Sequence, residues 1–293
     1  LNNPSNQLAI ATGLVALLGS GSAEAQEHVT LLMLTLASDA DNRVAIAKAG
    51  AIKRLIMQLR QAVSLKAQEL AAAALSHLTG DSDENVKAIQ TEGGIEPLVE
   101  LLASESVEAQ AHAAAVLSDM TRVFRDSIAR HGAIKPLVQL LSKGLNSDIK
   151  AEAAGALWSL SGGIEETQIA IATEGAIQPL VDLLGDPDMR TRRKAAGALT
   201  SLAIGSIVNQ GAIASAKGIV PLVSLLGEQY DSHVQLYAAG MLAELARNHV
   251  RNQMAIAKAG SISPLVRILK NDDPHAEQAK EESAGALWTL SSK

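Results

Sequence analysis

"GAIKPLVQLL" (residues 132–141) holds a glycine, a proline and five large aliphatic residues in ten positions. A glycine in this setting lets a helix end through a left-handed residue. Proline a few residues later suits the first turn of a new helix, where its missing N–H costs nothing. The phrase therefore reads as one helix stopping and another starting. It returns as "GAIKRL" (50–55), "GGIEPL" (93–98), "GAIQPL" (175–180), "KGIVPL" (217–222) and "GSISPL" (260–265). The shared isoleucine stands at 52, 95, 134, 177, 219 and 262, at intervals of 43, 39, 43, 42 and 43. A chain that repeats itself at this period is a stack of similar units.

Working outward from the phrase, each unit has three parts. A short segment such as "DNRVAIAKAG" (41–50) or "RNQMAIAKAG" (251–260) comes first. Asn6, Asn42, Asn85, Asn209 and Asn252 each precede a matching isoleucine by four residues. Asparagine there predicts an N-cap. Gly50, Gly93, Gly132, Gly175 and Gly260 close the first helix. Pro97, Pro136, Pro179, Pro221 or Pro264 then opens the second, which carries "LVELL", "LVQLL", "LVDLL" or "LVSLL". A polar loop leads to a longer third helix ending in "GALWSL" (155–160), "GALTSL" (197–202), "GMLAEL" (240–245) or "GALWTL" (285–290). Ala153, Ala156, Leu157 and Leu160 recur at i, i+3, i+4 and i+7, one apolar face. Short helices bury such faces only by stacking on neighbouring units. The expected fold is all-α, a solenoid.

Composition agrees with thin helical layers. Hydrophobic residues make up 47% of the 293, but aromatics only 2%, with a single Phe. A large globular core would use more rings, because each buries much area. The net charge of −6 argues against a phosphate-neutralising nucleic-acid surface. Without cysteine there is no disulfide or thiolate chemistry. "LAIATGLVALLGSGSAEAQ" (8–26) imitates a secretion signal, but no Lys or Arg precedes Arg43. No apolar run is long enough for a membrane span. The expected location is intracellular, cytoplasmic or nuclear.

In this order of parts the chain resembles the armadillo repeat, whose units run as a short helix, "GAIxPLVxLL", then a helix of "AAxALxNL" type. The resemblance covers all 293 residues as about seven units: 1–38, 39–80, 81–122, 123–162, 163–204, 205–247 and 248–293. The first unit lacks about five residues between its two short helices, so these are expected to merge or shorten. What the resemblance implies is a right-handed superhelix with third helices lining a concave groove that binds extended segments of other proteins.

The groove has to be read residue by residue. In the armadillo proteins that serve as nuclear-import adaptors, two positions of the third-helix stripe carry a Trp and an Asn, and the Asn clamps the bound peptide backbone. The first of those positions here holds Leu31, Ala73, Ala115, Gly155, Gly197, Gly240 and Gly285. The second holds Thr35, His77, Asp119, Ser159, Ser201, Glu244 and Thr289. Neither keeps its Trp or Asn, so that clamp is not expected. Glu152, Lys194, Tyr237 and Glu282 share a third position one turn earlier. Arg190 and Lys194, from the basic run "DMRTRRKAAG" (188–197), are either balanced by Glu152 or touch an acidic or phosphorylated partner. Tyr237 is a candidate anchor. Trp158 and Trp288 are candidates for half-buried packing or anchoring. The four glycines either let neighbouring helices pack closely or offer a smooth floor to a ligand backbone.

No catalytic or metal site is expected. The seven histidines are scattered, and "GDSDEN" (80–85) lacks the spaced ligands of a calcium loop, so it reads as a polar loop leading to Asn85. No phosphate loop, nucleophile elbow or HExxH occurs. No cofactor, nucleic acid or membrane is expected as a partner. The favoured function is a protein-interaction scaffold, and the alternative is a structural spacer, or a fragment of a larger multidomain protein, with an unused groove. Leu287 and Leu290 repeat the core pattern of Leu157 and Leu160 without a polar cap. That predicts a piece of a longer protein whose uncapped repeats associate end to end.

Overall fold

Hydroxyl and carboxylate side chains set where the helices begin. Ser22, Asp39, Ser64, Ser82 and Ser106 each accept a hydrogen bond from the backbone N–H three residues on, and a helix follows each one. The computed structural model describes residues 4–19, 22–61, 64–80, 82–143 and 146–292. Asp81 of the acidic loop lies outside them. Among the described residues there are helices and no strands.

The chain divides into two compact units at Leu137/Val138, within helix α9 (Ile134–Lys143). The first unit holds α1 (Pro4–Leu18), α2 (Ala23–Leu36), α3 (Ala40–Lys48), α4 (Ala51–Gln61), α5 (Leu65–Thr79), α6 (Asp83–Thr91), α7 (Ile95–Leu101) and α8 (Val107–Arg130). Here α5 packs beside both α2 and α8, and Leu75, Leu78, Leu117 and Met120 are buried. The first two helices of the first repeat, expected to merge or shorten, make one continuous α1 of 15 residues. In α8 the break between a third helix and the next first helix is reduced to a kink at Phe124, whose φ/ψ of −119°/28° is not helical.

The second unit holds α10 (Ser147–Ser161), α11 (Glu165–Thr173), α12 (Ile177–Asp182), α13 (Met189–Ala203), α14 (Ile207–Ser215), α15 (Ile219–Ser224), α16 (Ser232–Ala246), α17 (Val250–Lys258), α18 (Ile262–Leu269) and α19 (Glu277–Ser291). The long helices α10, α13, α16 and α19 stand side by side in that order. Leu157, Leu160, Leu199, Leu202, Leu242 and Leu245 are buried along them. Each such leucine contributes about 1.5–3 kcal/mol by leaving water.

The glycines at 50, 93, 132, 175 and 260 have φ between +70° and +86°, the left-handed residue that ends a first helix. At the corresponding place before α15 stands Lys217, with φ +64°.

The asparagines do something other than what their spacing suggested. The N-caps of α3, α6, α14 and α17 are Asp39, Ser82, Ser206 and His249, each accepting from the backbone N–H of Asn42, Asn85, Asn209 or Asn252. The asparagines therefore lie inside the first turn. Asn85, Asn209 and Asn252 are buried and donate Nδ2–H to Leu78 O, Leu202 O and Leu245 O at 2.7, 2.8 and 2.9 Å. Those carbonyls belong to the last turn of the preceding long helix, where no intrahelical partner exists. The side chain ties one helix end to the next helix start.

Candidate functional site

One stripe of side chains runs across α10, α13, α16 and α19, as their registers align. At its α10–α13 end, Arg190 Nη2 donates to Glu152 Oε1 at 2.8 Å and Lys194 Nζ to Glu152 Oε2 at 2.9 Å. Asp148 lies 3.6 Å from the same guanidinium. Two cations of the basic run, Arg190 and Lys194, thus share the Glu152 carboxylate, whereas Arg192 donates to Pro187 O and lies over the Tyr230 ring. The run's position in a first helical turn, unfavourable for cations, is offset by Asp188, which caps α13 through Arg190 N and Thr191 N. The Thr191 hydroxyl donates to Asp188 and, with those backbone bonds and nearby Arg190, holds its carboxyl below the usual range against the opposing pull of burial.

In the middle of the stripe sits an aromatic pair. Trp158 of α10 and Tyr237 of α16 meet edge to face, centroids 5.1 Å apart and planes at 85°. The indole rests on Gly197 of α13: a Cβ there would lie 2.7 Å from Trp158 Cδ2 and Cε2. Both rings are half-buried. Edge-to-face geometry adds about 0.5–1.5 kcal/mol beyond the area buried.

At the α16–α19 end the carboxylates outnumber the cations. Arg247 Nη2 pairs with Glu244 Oε1 at 2.7 Å. Burial pushes the Glu282 carboxyl up, Glu244 and Glu281 push it further, and Arg247 pulls it back.

The glycine row is explained by these neighbours. A Cβ on Gly155 would sit 3.1 Å from Lys194 Cδ, and one on Gly240 would sit 3.1 Å from Glu282 Oε2. With Trp158 on Gly197, three of the four glycines are seats for side chains of adjacent long helices. A ligand backbone has no floor there. The collision that glycine avoids is with side chains, not with a second helix backbone. Gly285 differs: nothing among the described residues lies within 4 Å of where its Cβ would be.

The remaining candidates are dispersed. His77 and Asp119 belong to the first unit; both are exposed, and Asp119 Oδ2 accepts from Thr79 Oγ1 at 2.8 Å. Ser159 is half-buried beside Trp158 in sequence. Ser201 is a correction: it is buried, so its side chain is not available to a partner, and its carbonyl accepts from Gln168 Nε2 at 2.8 Å. Trp288 is 68% exposed.

A cleft of about 620 Å³, missed in the sequence, opens beside the start of α16, lined by Tyr230, Gln235, Arg267, Lys270 and His275 among others. Arg267 is committed to Glu228 at 3.1 Å and to Leu226 O at 2.8 Å, and Asp231 and Asp273 serve as caps. No spacing pattern announces it, because its walls join the ends of α16 and α18 to loops that vary between repeats. No helix among the described residues is long and apolar enough to cross a membrane.

Known proteins share this architecture. A crystal structure of an engineered protein from the Northeast Structural Genomics Consortium matches with TM-score 0.85 and 33% identity, over 96% of this chain and 68% of that one. A designed armadillo repeat protein in complex with the peptide (KR)4 matches with TM-score 0.70 and 23% identity, over 82% of this chain and 99% of that one. Computationally designed armadillo repeat proteins for modular peptide recognition match with TM-score 0.72 and 23% identity, over 81% and 99%. The family model for the armadillo/beta-catenin-like repeat matches residues 39–80, 82–122, 124–162 and 165–204, more than half of the chain. With its helices ended by left-handed glycines and its long helices in register, this chain belongs to the armadillo/beta-catenin-like repeat family.

Proposed function

We propose that the chain is a non-catalytic scaffold that binds an extended segment of a partner protein along the stripe of α10, α13, α16 and α19. The observation that carries this reading is the Trp158–Tyr237 pair, half-buried on Gly197 with charged rows on either side. Two rings held rigidly in a chain that is 2% aromatic form the kind of anchor that dominates interface energies. Members designed for this fold bind peptides, one of them (KR)4. The clamp of the import adaptors is absent, so contacts to the partner come from these side chains. A partner anion at Arg190 and Lys194 competes with Glu152 for both donors.

Selection from a displayed peptide library, followed by fluorescence polarisation, tests the reading. Selected peptides should lose about 30-fold or more in affinity to Trp158→Ala and Tyr237→Ala, while circular dichroism shows both variants folded. Charge reversal at Arg190 and Lys194 should also shift affinity. Equal binding by all variants defeats the anchor assignment, and failure to select any peptide favours the spacer.

A further inference from the structure

We propose that the cleft of about 620 Å³ between the loops after α15 and α18 is a second binding site, for a small molecule that carries an oxyanion on a flat apolar body. Other repeats of the same chain fill this place with their own side chains. Lys150, Arg192 and Gln235 hold one position, five residues before Gly155, Gly197 and Gly240. The first two reach forward to the loop of the next repeat. Lys150 Nζ lies 3.7 Å from Asp186 Oδ2, and the Arg192 guanidinium stacks on the Tyr230 ring at 5.0 Å. Gln235 turns back instead and donates to Gly227 O of its own repeat at 2.9 Å. Facing it, His275 stands where Tyr230 stands one repeat earlier, ten residues before the third-helix glycine. Gln235 and His275 both line the cleft, and no stack joins them.

Repeats stacked beyond this level leave such a place open. Arg267, Lys270 and His275 occupy the places of Asp182, Gly185 and Pro187 two repeats earlier, and of Ser224, Gly227 and Tyr230 one repeat earlier. All six of those residues are exposed or half-buried, although further repeats follow them. The opening therefore comes from what Gln235 and His275 fail to fill.

The hydrogen-bonding groups left over in the cleft select the ligand. Three carboxylates line it, and each is engaged. Glu228 pairs with Arg267 at 3.1 Å, while Asp231 accepts from Val234 N and Asp273 from His275 N, both at 2.9 Å. Asp231 also caps the start of α16, where the helix dipole offsets its charge. The Lys270 ammonium, the His275 ring and the Tyr230 hydroxyl make no hydrogen bond or ion pair among the described residues. These donors suit a phosphate or a carboxylate, held by charge-assisted hydrogen bonds. Ile268 and the Tyr230 ring give the rest of the molecule an apolar wall. The volume falls within the range of about 300–1,000 Å³ usual for small-molecule pockets.

Isothermal titration calorimetry with phenyl phosphate and with benzoate tests the assignment, and the two probes separate phosphate from carboxylate. At least one should bind one-to-one, about tenfold or more tighter than inorganic phosphate, which lacks the apolar body. Lys270→Gln and His275→Gln should each weaken the better probe by about tenfold. Gln235→Arg combined with His275→Tyr rebuilds the Arg192–Tyr230 stack inside the cleft. This double variant should abolish binding without lowering the melting temperature. Trp158→Ala and Tyr237→Ala should leave the titration unchanged, since neither ring lines the cleft. Absence of binding to both probes by the wild-type chain would overturn the proposal. So would inorganic phosphate bound as tightly as either probe, or equal binding by the wild type and all three cleft variants.

Discussion

Gly155, Gly197, Gly240 and Gly285 look identical in the sequence and are four different residues in the structure. Only at Gly197 is the obstacle rigid, an indole that a Cβ would meet at 2.7 Å. At Gly155 and Gly240 it is the far end of a lysine or a glutamate, which moves at little cost. A mid-helix alanine gains about 0.5–1 kcal/mol over glycine, and overpacking a core costs about 1–3 kcal/mol. Alanine is therefore expected to stabilise at 285, to be near neutral at 155 and 240, and to destabilise by about 1–3 kcal/mol at 197. Urea melts of the four variants check the order, and a neutral Gly197→Ala would remove the indole from the explanation. Sequence spacing placed all four on one stripe. It left open which neighbour fills each seat, because Trp158 and Tyr237 meet through the packing of three helices and no short motif joins them. The burial of Ser201 was hidden for the same reason.

At the scale of the helix, punctuation was the most legible feature. The glycine ends and proline starts could be read from "GAIKPLVQLL" because each residue acts through its own backbone, with no distant partner. The asparagines were misread because Ser82 and Asn85 are both capping residues, three positions apart. The carbonyl that Asn85 serves lies on the preceding helix, seven residues back, and only folding brings it within 2.7 Å. Lys217 is the exception to the glycine rule, and it gives a prediction. A non-glycine residue in the left-handed region costs about 1–2 kcal/mol, partly offset by the greater freedom that glycine loses on folding. Lys217→Gly should raise stability by about 0.5–1 kcal/mol, and the reciprocal Gly175→Lys should lower it by a similar amount. Chemical denaturation of the pair checks both signs, and an unchanged midpoint in each would show that the turn carries no strain.

For the whole molecule, the period of the isoleucines made the all-α repeat class legible before any contact was known, since a stack has few ways to bury short amphipathic helices. The import adaptors' Trp and Asn are missing from the fourteen matching positions of the sequence. The content of the stripe was not legible, because it depends on which side chain leans across which neighbour. That leaning makes energetic coupling local: in a stack, stability is close to a sum of terms within repeats and between adjacent ones. Trp158 and Gly197 share one contact across α10 and α13, so their substitutions should couple. Gly197→Ala should lose most of its cost in a Trp158→Ala background, a coupling on the order of 1–3 kcal/mol. Asn252 ties α17 to the last turn of α16 through Leu245 O and shares no partner with Gly197. Asn252→Ala should cost about 1–3 kcal/mol by leaving a buried carbonyl unpaired, and it should add to Gly197→Ala within about 0.5 kcal/mol. Two double-mutant cycles by urea denaturation measure both terms. Strong coupling in the second cycle would mean that strain spreads along the stripe from helix to helix, and the Trp158–Tyr237 pair would then have to be treated together with the asparagine ties behind it.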